Sequence, residues 1–156
     1  MKEVVVFFLS GKEYGIEVSN MQGLENYREM VSLSEAPEYL KGVVVIRKES
    51  IPVVDIKKLL MLPPAEKTGE TKYLVVRTSH GKMAFLADGV SRIFRVEGED
   101  AQNFPPLAQP KTAAYIESVA ICERSLVLVL DPEKLLSDEE WEAISELMDN
   151  MEDEND

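Results

Sequence analysis

The strongest constraint on this 156-residue chain is an internal repeat. Residues 39–60, YLKGVVVIRKESIPVVDIKKLL, return as residues 115–136, YIESVAICERSLVLVLDPEKLL. Tyr39 aligns with Tyr115, Val43 with Val119, Asp55 with Asp131, and Leu59-Leu60 with Leu135-Leu136, at one constant offset. An earlier pair of blocks also matches: Gly11-Lys12 before Tyr14-Gly15-Ile16, and Gly81-Lys82 before Ala84-Phe85-Leu86. The second half carries about six extra residues between its blocks, assigned to the Pro-rich stretch Phe104–Pro110.

Each half reads as β-structure. Val4–Leu9 is a short apolar run, Gly11-Lys12 marks a turn, and Tyr14, Ile16 and Val18 alternate onto one face. Asn20 is expected to cap one helical turn containing Met21 and Leu24, with a strand near Glu25–Met30. Val43–Ile46 and Ile51–Val54 form a pair joined at Lys48-Glu49-Ser50. A helical turn capped by Asp55 then closes the half. The second half repeats the scheme with strands near Tyr73–Thr78, Lys82–Ala87, Arg92–Val96, Ile116–Ile121 and Leu126–Leu130, and with Asp131-Pro132 opening its closing turn.

The fold class is therefore all-β: two five-stranded barrels packed together, with short closing helical turns and a C-terminal helix. Subdomain one spans about 1–61, the linker 62–71 with Pro63-Pro64 and Gly69, and subdomain two about 72–136. Barrels this small are filled by their own side chains, which leaves no place for a cofactor.

Charge separates the remainder. The net charge is -12, yet ten acidic residues and no Lys or Arg lie in 137–156, so the globular part is nearly neutral. This balance opposes nucleic-acid binding and docking on anionic lipid. Ser137-Asp138-Glu139-Glu140 reads as a capping box. Trp141, Ile144, Met148 and Met151 follow on one helical face, with Trp141 and Ile144 expected to pack on a barrel and Glu152–Asp156 expected to be disordered. No apolar run approaches a membrane span. The start, from Lys2 to Leu9, is a strand rather than a signal peptide, which makes a cytoplasmic location the expectation.

Catalytic and metal chemistry find little support. Cys122 is the single cysteine and aligns with Ile46, which marks it as a strand hydrophobe. His80, the single histidine, sits in the turn Ser79-His80-Gly81-Lys82 with no second metal-type ligand nearby in sequence. Asp55 and Asp131 occupy equivalent capping positions in separate halves rather than forming an acid–base pair. A hydrolase would need two carboxylates converging in a deep cleft.

Several motifs resemble those of the CheW-like family. They are Glu13-Tyr14-Gly15-Ile16-Glu17-Val18 with Met21-Gln22, and Pro37 to Val43 with Ile46-Arg47 and Ile51-Pro52-Val53-Val54-Asp55. Asp88-Gly89-Val90 and the closing segment from Tyr115 to Leu136 complete the set. The resemblance spans nearly the whole chain. It implies two SH3-like barrels and a non-enzymatic adaptor that bridges the regulatory domain of the histidine kinase CheA and the cytoplasmic tip of chemoreceptors. The receptor tip, a helical hairpin, is expected in a groove between the barrels. On the matching positions, Met21, Leu24 and Val43 would line that groove, with Arg47 as polar contact and Lys48 beside it. Ile93 and Phe94 are further candidates, more plausibly core. Three departures cluster there: Lys48 stands where the family has Gly, Val45 where it has Asn, and Gly23 where it has an acid. The alternative is a stand-alone regulatory barrel for a small ligand or a single protein partner.

Overall fold

The computed structural model describes residues 2–96, 101–102, 114–122 and 125–154, with side chains omitted for 101–102 and 151–154. Its strands are β1 (Lys2–Leu9), β2 (Lys12–Glu17), β3 (Met21–Asn26), β4 (Leu40–Ile46), β5 (Glu49–Val54), β6 (Lys72–Thr78), β7 (Gly81–Ala87), β8 (Gly89–Val96), β9 (Ala101–Gln102), β10 (Ile116–Cys122) and β11 (Ser125–Leu130). The described residues also form the α-helices α1 (Ile56–Leu59) and α2 (Asp138–Glu154), with 3-10 turns at Val18–Asn20 and Pro132–Lys134. The Pro-rich stretch 104–110 lies outside the described residues.

The strands form two sheets, ordered β8-β1-β2-β11-β10-β9 and β3-β6-β7-β5-β4. Both are small barrels, the first extended by the two-residue β9, but they do not coincide with the sequential units 1–61 and 72–136 expected from the repeat. Each barrel draws strands from both halves of the chain. β1 and β2 join β8, β10 and β11, whereas β6 and β7 join β3, β4 and β5. One parallel pairing in each barrel makes the junction, β2 with β11 and β5 with β7.

Strand alternation produces three apolar layers, because successive side chains point to opposite faces. Val4, Val6, Ala120, Cys122, Val127 and Val129 fill barrel 1. Val44, Ile46, Ile51, Val53, Tyr73 and Val75 fill barrel 2. The opposite faces, among them Phe7, Leu9, Ile16, Leu74, Phe85 and Leu130, form a third layer between the barrels, which also receives Trp141 and Ile144 of α2. The barrels are thus filled and joined by one continuous alternating pattern. Gly15 is required by the tightness of barrel 1: a Cβ there would come within 2.5 Å of a Val4 methyl.

The local caps are those expected. Asp55 accepts from the Lys58 amide at 3.3 Å, and Asp131 from the Glu133 amide at 3.0 Å with Pro132 in the first turn. Ser137 and Glu140 form the reciprocal capping box at 3.1 and 2.8 Å. The repeat also has a shared backbone signature. The Asp55 amide donates to the Tyr39 carbonyl at 2.8 Å, and the Asp131 amide to the Tyr115 carbonyl at 2.9 Å.

Three local readings change. Met21 and Leu24 lie on a strand, not a helical turn; the 3-10 turn is over by Asn20, and pairing with β6 extends the chain through Asn26, short of the expected Met30. The β4–β5 turn is Arg47-Lys48, since Ile46 pairs with Glu49. Helix α2 runs through Glu154, past the expected end of order.

Candidate functional site

Of the residues singled out by sequence, Leu24, Arg47 and Lys48 are exposed on one side of barrel 2, with Met21 at its edge. β3 presents alternating half-buried and exposed residues: Met21 packs partly on the central layer, and Leu24 is 48% exposed. The β4–β5 turn supplies Arg47 and Lys48, at φ +53° and +67°. Two consecutive left-handed residues define the twisted two-residue hairpin turn that normally takes Asn-Gly. Lys48 therefore keeps the turn at the cost of backbone strain, about 1 kcal/mol for a residue with a Cβ. Val43 does not share this surface. It is 0% exposed and fixed by two backbone hydrogen bonds to Val31, at 2.7 and 2.9 Å. Gly42 permits that close approach, as a Cβ there would lie 2.7 Å from the Val31 carbonyl.

Charge orders the exposed groups. Glu25 of β3 stands 3.4 Å from the Arg47 guanidinium and 3.6 Å from that of Arg28. Arg28 also reaches the Val45 carbonyl at 3.5 Å, so side chains clasp β3 to the β4 side of the barrel. Beside them is a shallow hollow of about 60 Å3 lined by Gln22, Gly23, Glu25, Arg47, Glu49 and Lys82. The acid that Gly23 lacks is thus supplied nearby by Glu25, already paired. Behind the face, Tyr73 donates to the Arg28 carbonyl at 2.7 Å and stacks on Tyr27; burial pushes its hydroxyl up to about 12. Phe94 packs against the core of barrel 1 beneath Arg92, whereas Ile93 is exposed, so the expected core role holds for Phe94 alone.

Three arrangements were not foreseen from sequence. His80 stacks on Trp141 at 5.6 Å and meets the Asp138 carboxylate at 2.8 Å, fastening the β6–β7 turn to α2. Asp88 accepts from Lys57 Nζ and from the Ser10 amide, both at 2.7 Å. Lys2 stands 3.0 Å from Glu17 and 3.4 Å from Glu117. Burial, reinforced by hydrogen bonding to Glu17, pushes the Glu117 carboxyl up to about 7, while Glu17 is lowered chiefly by the same hydrogen bond. Each joins residues far apart in sequence, and no local motif marks them.

None of this assembles a reaction centre. The converging carboxyls Glu17 and Glu117 are held by Lys2 and do not line the hollow beside Arg47. No group of three or more His, Cys, Asp or Glu side chains suited to a metal occurs among the described residues. No helix among them is long and apolar enough to cross a membrane. What the geometry offers is surface: a half-apolar strand beside a charged hairpin turn.

Comparison with known proteins agrees with that character. The family model for the CheW-like domain matches residues 3–140. The chain belongs to the CheW-like family. Among its relatives, a chemotaxis protein CheW of Bacillus subtilis is 26% identical over 88% of this chain and 88% of its own length. A CheW protein of Klebsiella aerogenes is 28% identical over 92% of this chain and 86% of its own. In fold, the chain is similar to the crystal structure of the scaffolding protein CheW from Thermoanaerobacter tengcongensis, with a TM-score of 0.79 and 22% identity, covering 87% of this chain and 88% of that one. CheW-like proteins are chemotaxis adaptors and scaffolds, not enzymes, and this chain is one of them.

Proposed function

We propose that this CheW-like chain works in the cytoplasm as the coupler between the regulatory domain of a CheA-type histidine kinase and the helical tip of a chemoreceptor. The observation that supports this reading is the β3 face, where Leu24 is half exposed beside an Arg47 side chain 85% exposed and oriented by Glu25. A helix laid on this face buries Leu24 and finds a forked cation for its carbonyls or carboxylates. Met21 contributes from the edge of the central layer. Lys48 adds a second cation where the family pattern has Gly, which points to a receptor tip richer in acid along that line. Val43 acts from inside, by holding Val31 and β4 in place.

The test is titration of the chain with a receptor-tip hairpin and, separately, with the kinase regulatory domain. Leu24→Arg and Arg47→Ala are expected to weaken receptor capture about tenfold or more while sparing kinase binding. Full-strength receptor binding by both variants would move the site elsewhere. Absence of binding to either partner would remove the coupling role. The reading as a stand-alone regulatory barrel has one observation in its favour, a second hollow of about 180 Å3 beside the linker.

A further inference from the structure

That second hollow shares no residue with the one beside Arg47. It lies where α1, the linker and the end of β7 meet. Its apolar lining is Val54, Ile56, Leu62 and Leu86. Four lysines, Lys41, Lys57, Lys58 and Lys67, stand around it against two aspartates, Asp55 and Asp88, in a chain whose net charge is -12.

Most of those charges already have work. Lys57 is bound to Asp88, and Asp55 caps α1. Lys67 donates to the Tyr27 hydroxyl and lies over its ring. Lys41 and Lys58 remain. Both are exposed, and neither ammonium has a hydrogen-bond or ion-pair partner among the described residues. Two unpaired cations thus flank an apolar floor, a pattern complementary to an apolar group with carboxylates beside it.

Volume selects between classes of occupant. Cavities for free small ligands run to roughly 300–1,000 Å3. A dry cavity of about 150 Å3 admits one benzene ring. At about 180 Å3, this hollow suits a single large side chain and is small for an independent ligand. We propose that it docks a short acidic segment of a protein partner, seating one large apolar side chain over Val54, Ile56 and Leu86 while the flanking carboxylates meet Lys41 and Lys58. This goes beyond the coupling role, because the site is separate from the β3 face.

The test uses the full chain, 15N-labelled, and a synthetic five-residue peptide with a central Phe flanked by two Glu on each side. Saturable amide shifts are expected at Lys58, Thr71 and Leu86. Binding should weaken at least tenfold when the Phe is replaced by Ala, and at least tenfold in a Lys41→Glu, Lys58→Glu double variant, whose spectrum reports that it is folded. Leu86→Ala, which enlarges the floor without touching charge, should weaken the Phe peptide and leave the Ala peptide unchanged. Absence of shifts, equal binding of the two peptides, or retained binding by the double variant would overturn the proposal. Concentration-dependent self-association that occupies the hollow without peptide would assign it instead to the acidic segment of a second copy, and would overturn it too.

Discussion

The Asp88 carboxylate lies 2.7 Å from the Lys57 ammonium, with its second oxygen 2.7 Å from the Ser10 amide. Ser10 belongs to the β1–β2 turn of barrel 1, and Lys57 to the helix that follows β5 of barrel 2, so one carboxylate ties the two barrels together. Both partners of the ion pair are largely shielded from solvent. Asp88→Ala is expected to cost about 1–3 kcal/mol in urea unfolding, because it leaves an amide and a shielded cation unsatisfied. Lys57→Met should cost less, since Asp88 keeps Ser10. A double-mutant cycle should show coupling between the two sites; strictly additive losses would mean that the pair is not energetically linked.

Lys48 carries backbone strain that glycine would not. Lys48→Gly is expected to raise stability by about 0.5–1 kcal/mol, read as a higher urea midpoint at unchanged slope. Lys48→Ala removes the charge but keeps the Cβ at φ +67°, so it should bring no such gain. Equal gains from both variants would assign the effect to charge.

Glu117 makes stability depend on pH. Its carboxyl is raised to about 7 in the fold, first by burial and then by the hydrogen bond to Glu17. The folded chain therefore holds this proton more tightly than the unfolded chain. The contribution is present at acid pH and is lost as pH rises from the ordinary value of 4.5 through about 7. Glu117→Gln stays neutral and should remove that decline between about pH 5 and 7, leaving the variant more stable than the parent at pH 8. Glu17, lowered, has the opposite sign and is unaffected at high pH. Parallel pH–stability curves for variant and parent would refute the assignment.

Trp141 anchors α2 in the layer between the barrels, and His80 stacks on it from the β6–β7 turn. Trp141→Ala is expected to cost about 3–5 kcal/mol. His80→Ala should cost about 1 kcal/mol or less, in keeping with a contact to the exposed Asp138 carboxylate. It should nevertheless shift the emission of the single tryptophan in the folded chain. An unchanged emission spectrum would mean that the rings do not touch in solution.

The sequence carried the parts of this fold that depend on near neighbours. The Asp55 and Asp131 caps and the Ser137–Glu140 box were readable because a cap and its amide lie within three positions of each other. Met21–Leu24 suggests a helical turn in sequence because its extended form is imposed by β6, a partner distant in the chain. The Arg47-Lys48 turn was displaced toward Ser50 because two side-chain-bearing residues rarely occupy left-handed positions in succession. At the candidate site, motif positions located Leu24, Arg47 and Lys48 on the surface, but periodicity alone did not reveal that Val43 points inward. The clasps at Asp88, His80 and Lys2 each join distant segments and had no local signal to find.

A duplicated pattern shows which strands are equivalent but not which copy each one joins. Here the first hairpin of each half is traded across: β1-β2 completes the barrel of the second half, and β6-β7 that of the first. Neither half can be expressed alone as a finished barrel, because each lacks the hairpin that the other half supplies, whereas a cut between Pro63 and Gly69 in the folded chain breaks only a covalent link. A chain nicked there should stay together as one particle until denatured, and the two fragments, useless singly, should restore the whole when mixed.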